Sequence, residues 1–181
     1  MKAIRRLRMA VSGPRRLARS HGFGIHSPWA YDFVRRVVSQ PCAYYDYRRL
    51  DKAAREFGAS SRAVRLVFRV ALHLRPNSYA VGPMRGAEAI IEAIRRGAPK
   101  AFLSDLPEMA VIEAAENAPI GALAAVLRRG GVVVILRNSR YPATAERLWM
   151  QSCPGIAFRG SRMAIFVGRR ELSRQQYNVW L

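Results

Sequence analysis

The sequence is poor in lysine, in acid, in cysteine and in histidine. Lysine occurs only at Lys2, Lys52 and Lys100. Acids number 12 against 31 basic residues, so the formal charge is +19 and nearly all of it is arginine. Such a balance favours polyanionic partners, namely RNA, DNA or an anionic membrane surface. A GC-rich coding sequence explains arginine over lysine, but not base over acid. The two cysteines, Cys42 and Cys153, lie far apart and form no CxxC pair. The three histidines are scattered at His21, His26 and His73. Neither set predicts a zinc site or a disulfide framework, and the chain reads as thiol-reduced and cytoplasmic. Long hydrophobic runs are missing too: nothing approaches the roughly 20 apolar residues of a membrane-spanning helix. The basic start, MKAIRRLRMAVSGPRRLARS, has no apolar segment of the signal-peptide kind.

What is present points to one domain. Half of the 181 residues are hydrophobic, enough for a sizeable core. Residues 1–20 read as a basic N-terminal tail, either a basic amphipathic helix with Ile4, Leu7 and Val11 on one side or a solvated arm. Residues 21–181 read as a single α/β domain. In HGFGIHSP, Ser27 before Pro28 predicts a helix start. Trp29, Phe33, Val34 and Val37 then follow at helical spacing. PCAYYDYRRL sets three tyrosines beside two arginines, which fits either a base-stacking surface or a half-buried cluster. A helix is predicted over about 60–74, capped by Ser60 or Ser61, with Arg62, Arg65 and Arg69 on its wet side.

From residue 78 the pattern alternates. SYAV predicts a strand, GAEAIIEAIRRG a helix ending at Gly97, and KAFLS a second strand, the βαβ unit of a parallel sheet. DLPEMAVIEAAENAP is ambiguous. MAVIEA resembles a strand, but Asp105, Pro107 and Glu108 suit a helix start, and a parallel strand needs a longer crossover than the five residues available. The expectation is a helix over 107–117. IGALAAVLRRGG predicts a helix, VVVIL a strand buried on both faces, ATAERLWMQS a helix, GIAFRGSRMAIFVGR two strands around a turn, and QQYNVWL an edge strand.

Few residues carry a chemical signal. Gly82 and Gly86 in AVGPMRGAEAI stand between strand and helix. There, backbone N–H groups and the positive helix end face a ligand. The spacing is GxxxG rather than GxGxxG, and a plain strand-to-helix turn accounts for it equally. Asp105 is the one acid placed to bind a ribose after the second strand, or it is the N-cap of the next helix. Arg137, Asn138 and Arg140 follow the best strand and are candidates for holding an anion. The pairs Glu88/Glu92 and Glu113/Glu116 are expected on helices, balancing arginine. No GxSxG elbow or HxxxH pair occurs.

Taken in order, HGFGIHSPWAYDFVRRVV, LVFRVALHLRPNSYAVGPMRGAEAI, LPEMAVIEAAENAP, VVVILRNSRYPATAERLWMQ and GSRMAIFVGRRELSRQQYNVWL resemble bacterial class I methyltransferase-like proteins that use S-adenosylmethionine (SAM). The resemblance covers about residues 21–40 and 60–181. It implies a shortened Rossmann-like sheet with an N-terminal helical extension, SAM as cofactor, Gly82, Gly86 and Asp105 at that cofactor, and His26 in the opening motif near a substrate or anion. The departures are acidic. The family's acid before its first glycine falls on Ala80, its acid after the second strand on Ser104, and its paired aspartates after the fifth strand on Arg137 and Asn138. Its third and fourth strands, with the fourth strand's acid, have no room between the helix at 107–117 and the next. An edge left by those strands would be a place for a second copy to pair. Two functions follow: a divergent SAM-dependent methyltransferase, or a degenerate, non-catalytic relative that binds RNA or another polyanion through arginine-rich surfaces.

Overall fold

A computed structural model describes residues 24–152, 155–169 and 171–181. The basic segment 1–20 and Cys153 lie outside the described residues. Seven strands form one mixed sheet in the order β2-β1-β3-β4-β6-β5-β7. They are β1 (Ser78–Val81), β2 (Phe102–Leu103), β3 (Met109–Glu113), β4 (Val132–Leu136), β5 (Ile156–Arg159), β6 (Ala164–Val167) and β7 (Gln175–Asn178). The first four run parallel, β6 is antiparallel to both β4 and β5, and β7 is parallel to β5. The architecture is thus α/β with a mixed sheet of the Rossmann-like kind.

The helices are α1 (Pro28–Phe33, continued by a π-helical turn over Val34–Val38), α2 (Tyr47–Glu56), α3 (Ser61–Leu74), α4 (Ala87–Gly97), α5 (Ile120–Arg128) and α6 (Pro142–Gln151). Two cores sandwich the sheet. One joins Phe33, Val34, Leu50, Val67, Ile90 and Ile94 of α1–α4 to Met109, Val111, Val134 and Phe158. The other joins Leu123, Leu127, Ala145 and Leu148 of α5 and α6 to Ala110, Ile112, Val133 and Phe166. Successive residues of β3 enter opposite cores, as a strand's two-residue period requires.

Several elements form for the reasons read in the sequence. Ser27 caps α1, accepting from Ala30 N at 3.3 Å, with Pro28 in the first turn. Phe33 stacks on Phe158 with ring centres 4.8 Å apart. Tyr177 of β7 points inward, its ring stacked on Phe158, while Gln176 and Asn178 face out. Ser60 takes the N-cap position of α3 but makes no side-chain cap bond.

Three expectations are corrected. Met109–Glu113 is a strand, not part of a helix over 107–117. It pairs along its length with β4 and, at Met109–Val111, with β1. The crossover objection fails because β2 is a two-residue stub beside the start of β1. The loop 104–108 then crosses the amino end of β1, where Glu108 accepts from the Asn77 backbone and side chain and Ser78 Oγ donates to Leu106 O. In chain order the strand before α5 therefore stands at Met109–Glu113, where the helix was expected, and 118–119 remain a short link into α5. Next, Tyr47–Glu56 forms α2, where no helix is predicted from the sequence. Finally, the arginine row of α3 is not simply wet. Arg65 chelates Asp51, donating from Nε at 2.8 Å and also from Nη2. Arg69 donates to Val37 O at 2.5 Å and Tyr47 Oη at 2.8 Å. The tyrosine cluster is accordingly architectural: Tyr44 and Tyr47 pack on Phe68, and the Arg65 guanidinium lies 4.7 Å above the Tyr47 ring. Tyr45 alone of the three is fully exposed.

Candidate functional site

From β1 the chain passes through α4 to β2 on one side, then returns to β3 on the other. Such a reversal places a crevice outside the carboxyl ends of the strands. A cleft of about 260 Å3 lies there. Ala59, Ser60, Arg62 and Ala63 come from the start of α3, Met84 and Arg85 from the passage between β1 and α4, and Ile90 from α4 itself. Glu113 ends β3, Leu136 ends β4 with Arg137 and Ser139 after it, and Arg162 and Met163 come from the β5–β6 turn. Ala63, Ile90, Leu136 and Met163 are buried and form an apolar floor; arginines crowd the rim.

The electrostatics are one-sided. Glu113 is the cleft's sole carboxylate. Its Oε1 accepts from Arg137 Nη1 at 3.1 Å and Arg140 Nη1 at 3.3 Å, so its charge is already countered. Among the described residues, no carboxylate is in ion-pair range of Arg62, Arg85 or Arg162. Burial, with the Arg162 and Arg69 charges nearby, pulls Arg62 below the usual guanidinium range. Arg62 also donates to Trp180 O at 3.2 Å, and Arg162 N donates to Leu181 O, so the chain's last residues are fastened at this rim. The first turn of α3 opens onto the cleft at Arg62 and Ala63 without a side-chain cap, leaving N–H groups and a positive helix end on the same side as the arginines. Arg137 itself takes a left-handed conformation, φ 51, unusual for a residue with a side chain.

The glycine segment is bent by the protein itself. Gly86 sits at φ +81 at the start of α4, and a Cβ there would lie 2.6 Å from Ala59 Cβ. Its bare face is thus covered by the α2–α3 loop rather than open to a ligand. That loop reciprocates: Gly58, at φ +69, is covered by the Arg85 guanidinium, whose Nε would meet an added Cβ at 2.6 Å. Gly82 has no positive φ and continues the pairing of β1 with β3, donating to Val111 O at 2.8 Å.

The expected cofactor trio is therefore not assembled around the cleft. Gly82 and Gly86 flank it without lining it, and Asp105 is exposed on the loop that crosses the amino end of β1. Of the expected anion-holding residues, Arg137 lines the cleft and Arg140 braces Glu113. Asn138 is buried and structural. Its N donates to Arg162 O at 2.7 Å and its Nδ2 to Gly160 O at 3.3 Å, tying β4 to the β5–β6 turn. His26 is exposed ahead of α1 and lines no part of the cleft. Glu113 balances arginine as expected, but from a strand end rather than a helix. The sequence reading had no signal to join Arg62, Arg85 and Arg162, because three separate segments supply them.

Among the described residues no group of three His, Cys, Asp or Glu is placed to hold a metal, and no helix is long and apolar enough to cross a membrane. Compared with protein-family models, curated proteins and solved structures, the chain matches none.

Proposed function

We propose that this chain is a divergent, non-catalytic relative of the SAM-dependent methyltransferase-like proteins, which binds anions and, through its arginine-rich surface, RNA or another polyanion. The observation that carries this reading is the rim of Arg62, Arg85, Arg137 and Arg162 around a cleft whose one carboxylate is neutralised. SAM bears a sulfonium cation, and a rim of guanidinium groups repels a cation at close range. The cleft is also small beside the roughly 300–1,000 Å3 of typical ligand sites, and the glycine that would approach a cofactor is covered by Ala59. A cytoplasmic place of action belongs to the same proposal, as does pairing of two copies along the β2 edge.

Two titrations test it. Calorimetry with SAM is expected to give no heat at millimolar cofactor; micromolar binding would overturn the non-catalytic reading. Filter binding of a single-stranded RNA is expected to weaken steeply as salt rises, because bound arginines displace counterions. A flat salt response would count against the polyanion.

The methyltransferase reading keeps one specific observation. Glu113 stands at the carboxyl end of β3, inside the cleft, where the comparison with methyltransferase-like proteins leads one to look for an acid. Methyl transfer depends mostly on positioning donor and acceptor. A Glu113 released from its arginines would be the residue to hold an acceptor. Methylation of any RNA by the purified chain, lost in Glu113→Gln, would establish that activity.

A further inference from the structure

We infer that the cleft at the carboxyl ends of β1, β3 and β4 is a site for a small phosphate monoester with an apolar body. The inference rests on the anion preference proposed above and narrows it from a polyanion on the surface to a compact molecule in a pocket. Two observations and two chemical arguments converge. The rim supplies Arg62, Arg85 and Arg162, none with a carboxylate partner among the described residues. Three uncompensated guanidinium groups suit a dianion better than a monoanion, and a phosphate monoester carries close to two charges at neutral pH. Arginine's planar fork also matches phosphate oxygens geometrically. Finally, the first turn of α3, a helix of 14 residues, presents uncapped N–H groups to the same space.

The rest of the ligand follows from the floor. Ala63, Ile90, Leu136 and Met163 are buried apolar residues, and Met84 is half-buried beside them. Inorganic phosphate would leave that floor wet. A polynucleotide backbone is too long for about 260 Å3. A phosphate ester with a ring or short chain satisfies both halves: oxygens to the arginines, carbon to the floor.

The test uses phenyl phosphate, inorganic phosphate and phenol with the full chain, read by calorimetry and by thermal shift. Phenyl phosphate is expected to bind and to raise the melting temperature, inorganic phosphate to bind more weakly, and phenol not to bind. Arg85→Gln and Arg162→Gln are each expected to weaken phenyl phosphate by about tenfold or more, the cost of one charged hydrogen bond. Met84→Ser should bring phenyl phosphate down to the level of inorganic phosphate. Circular dichroism checks that each variant is folded, and the two arginines serve as independent tests. Absence of phenyl phosphate binding at millimolar concentration, affinity equal to that of inorganic phosphate, or indifference to both arginine changes would each overturn the inference. The RNA titration separates the two proposals. RNA binding without phenyl phosphate binding removes the pocket and keeps the polyanion; the reverse keeps the pocket and removes the polyanion.

Discussion

Gly86 is the residue whose role changes most between sequence and structure. Its glycine identity is required, but by the protein's own packing. Both the positive φ and the 2.6 Å approach to Ala59 forbid a side chain. Gly86→Ala is therefore expected to destabilise by at least about 1–3 kcal/mol, the typical cost of a strained backbone residue, measured by urea unfolding. A smaller loss would mean that the loop moves aside and that the site is more open than described. His73 gives a second prediction. Burial against Phe33 pushes its imidazole below its ordinary value of 6.5, against the pull of Asp32. Below that value the unfolded chain takes up a proton that the folded chain resists. Stability from this group is thus present at higher pH and lost as pH falls below about 6.5. Thermal melts between pH 7.5 and 5.5, in steps of about half a unit, should show a fall that His73→Gln flattens. Asp51 acts in a separate window. Its hydrogen bond to Arg65 holds its carboxyl below the ordinary 3.8, so its contribution disappears only in stronger acid.

At the scale of elements, the sequence was most legible where a segment's pattern had one meaning. VVVIL is β-branched up to its final leucine and buried on both faces, and it is the strand predicted. Ser27 and Pro28 start a helix by local chemistry alone. MAVIE is ambiguous in sequence because its neighbours Asp105, Pro107 and Glu108 imitate a helix start, and because the crossover length that full-length parallel strands need does not bind a two-residue strand. What decides the matter is tertiary: Val111 and Ile112 point into different cores, which no local pattern reveals. Ile112→Ala separates the readings, since alanine favours a helix but leaves a cavity beside a sheet. The expected loss is roughly 2–5 kcal/mol, again by urea unfolding; a neutral outcome would restore the helix. The β2 edge is the exposed side of the same sheet. Phe102, Leu103 and Leu106 are 61, 67 and 71% exposed, apolar groups where an unpaired strand invites association. Leu103→Lys is expected to leave the melting temperature unchanged while raising the concentration at which light scattering appears.

The whole molecule is governed by charge. Twelve acids cannot pair 31 bases, and two acids here serve two arginines each: Glu113 with Arg137 and Arg140, Glu92 with Arg49 and Arg96. The remaining arginines repel one another, and that repulsion falls as salt shortens the Debye length. Exposed ion pairs are also weakened by salt, but each contributes little. Repulsion should prevail, so the melting temperature is expected to rise between low and physiological sodium chloride. A fall would show that the ion pairs carry more stability than their exposure suggests. Charge was the feature most plainly written in the composition, whereas its convergence in one cleft was not. That convergence needs α3, the β1–α4 passage and the β5–β6 turn to meet, and only the sheet order brings them together.

The mutual seating of Arg85 on Gly58 and Ala59 on Gly86 has an evolutionary consequence. Each contact depends on the other loop's length, so an insertion or deletion in either loop would unseat both at once. Relatives that keep this cleft are therefore expected to conserve the lengths of the two loops jointly, even where their residues drift. A relative that lengthens one loop should have lost both glycines.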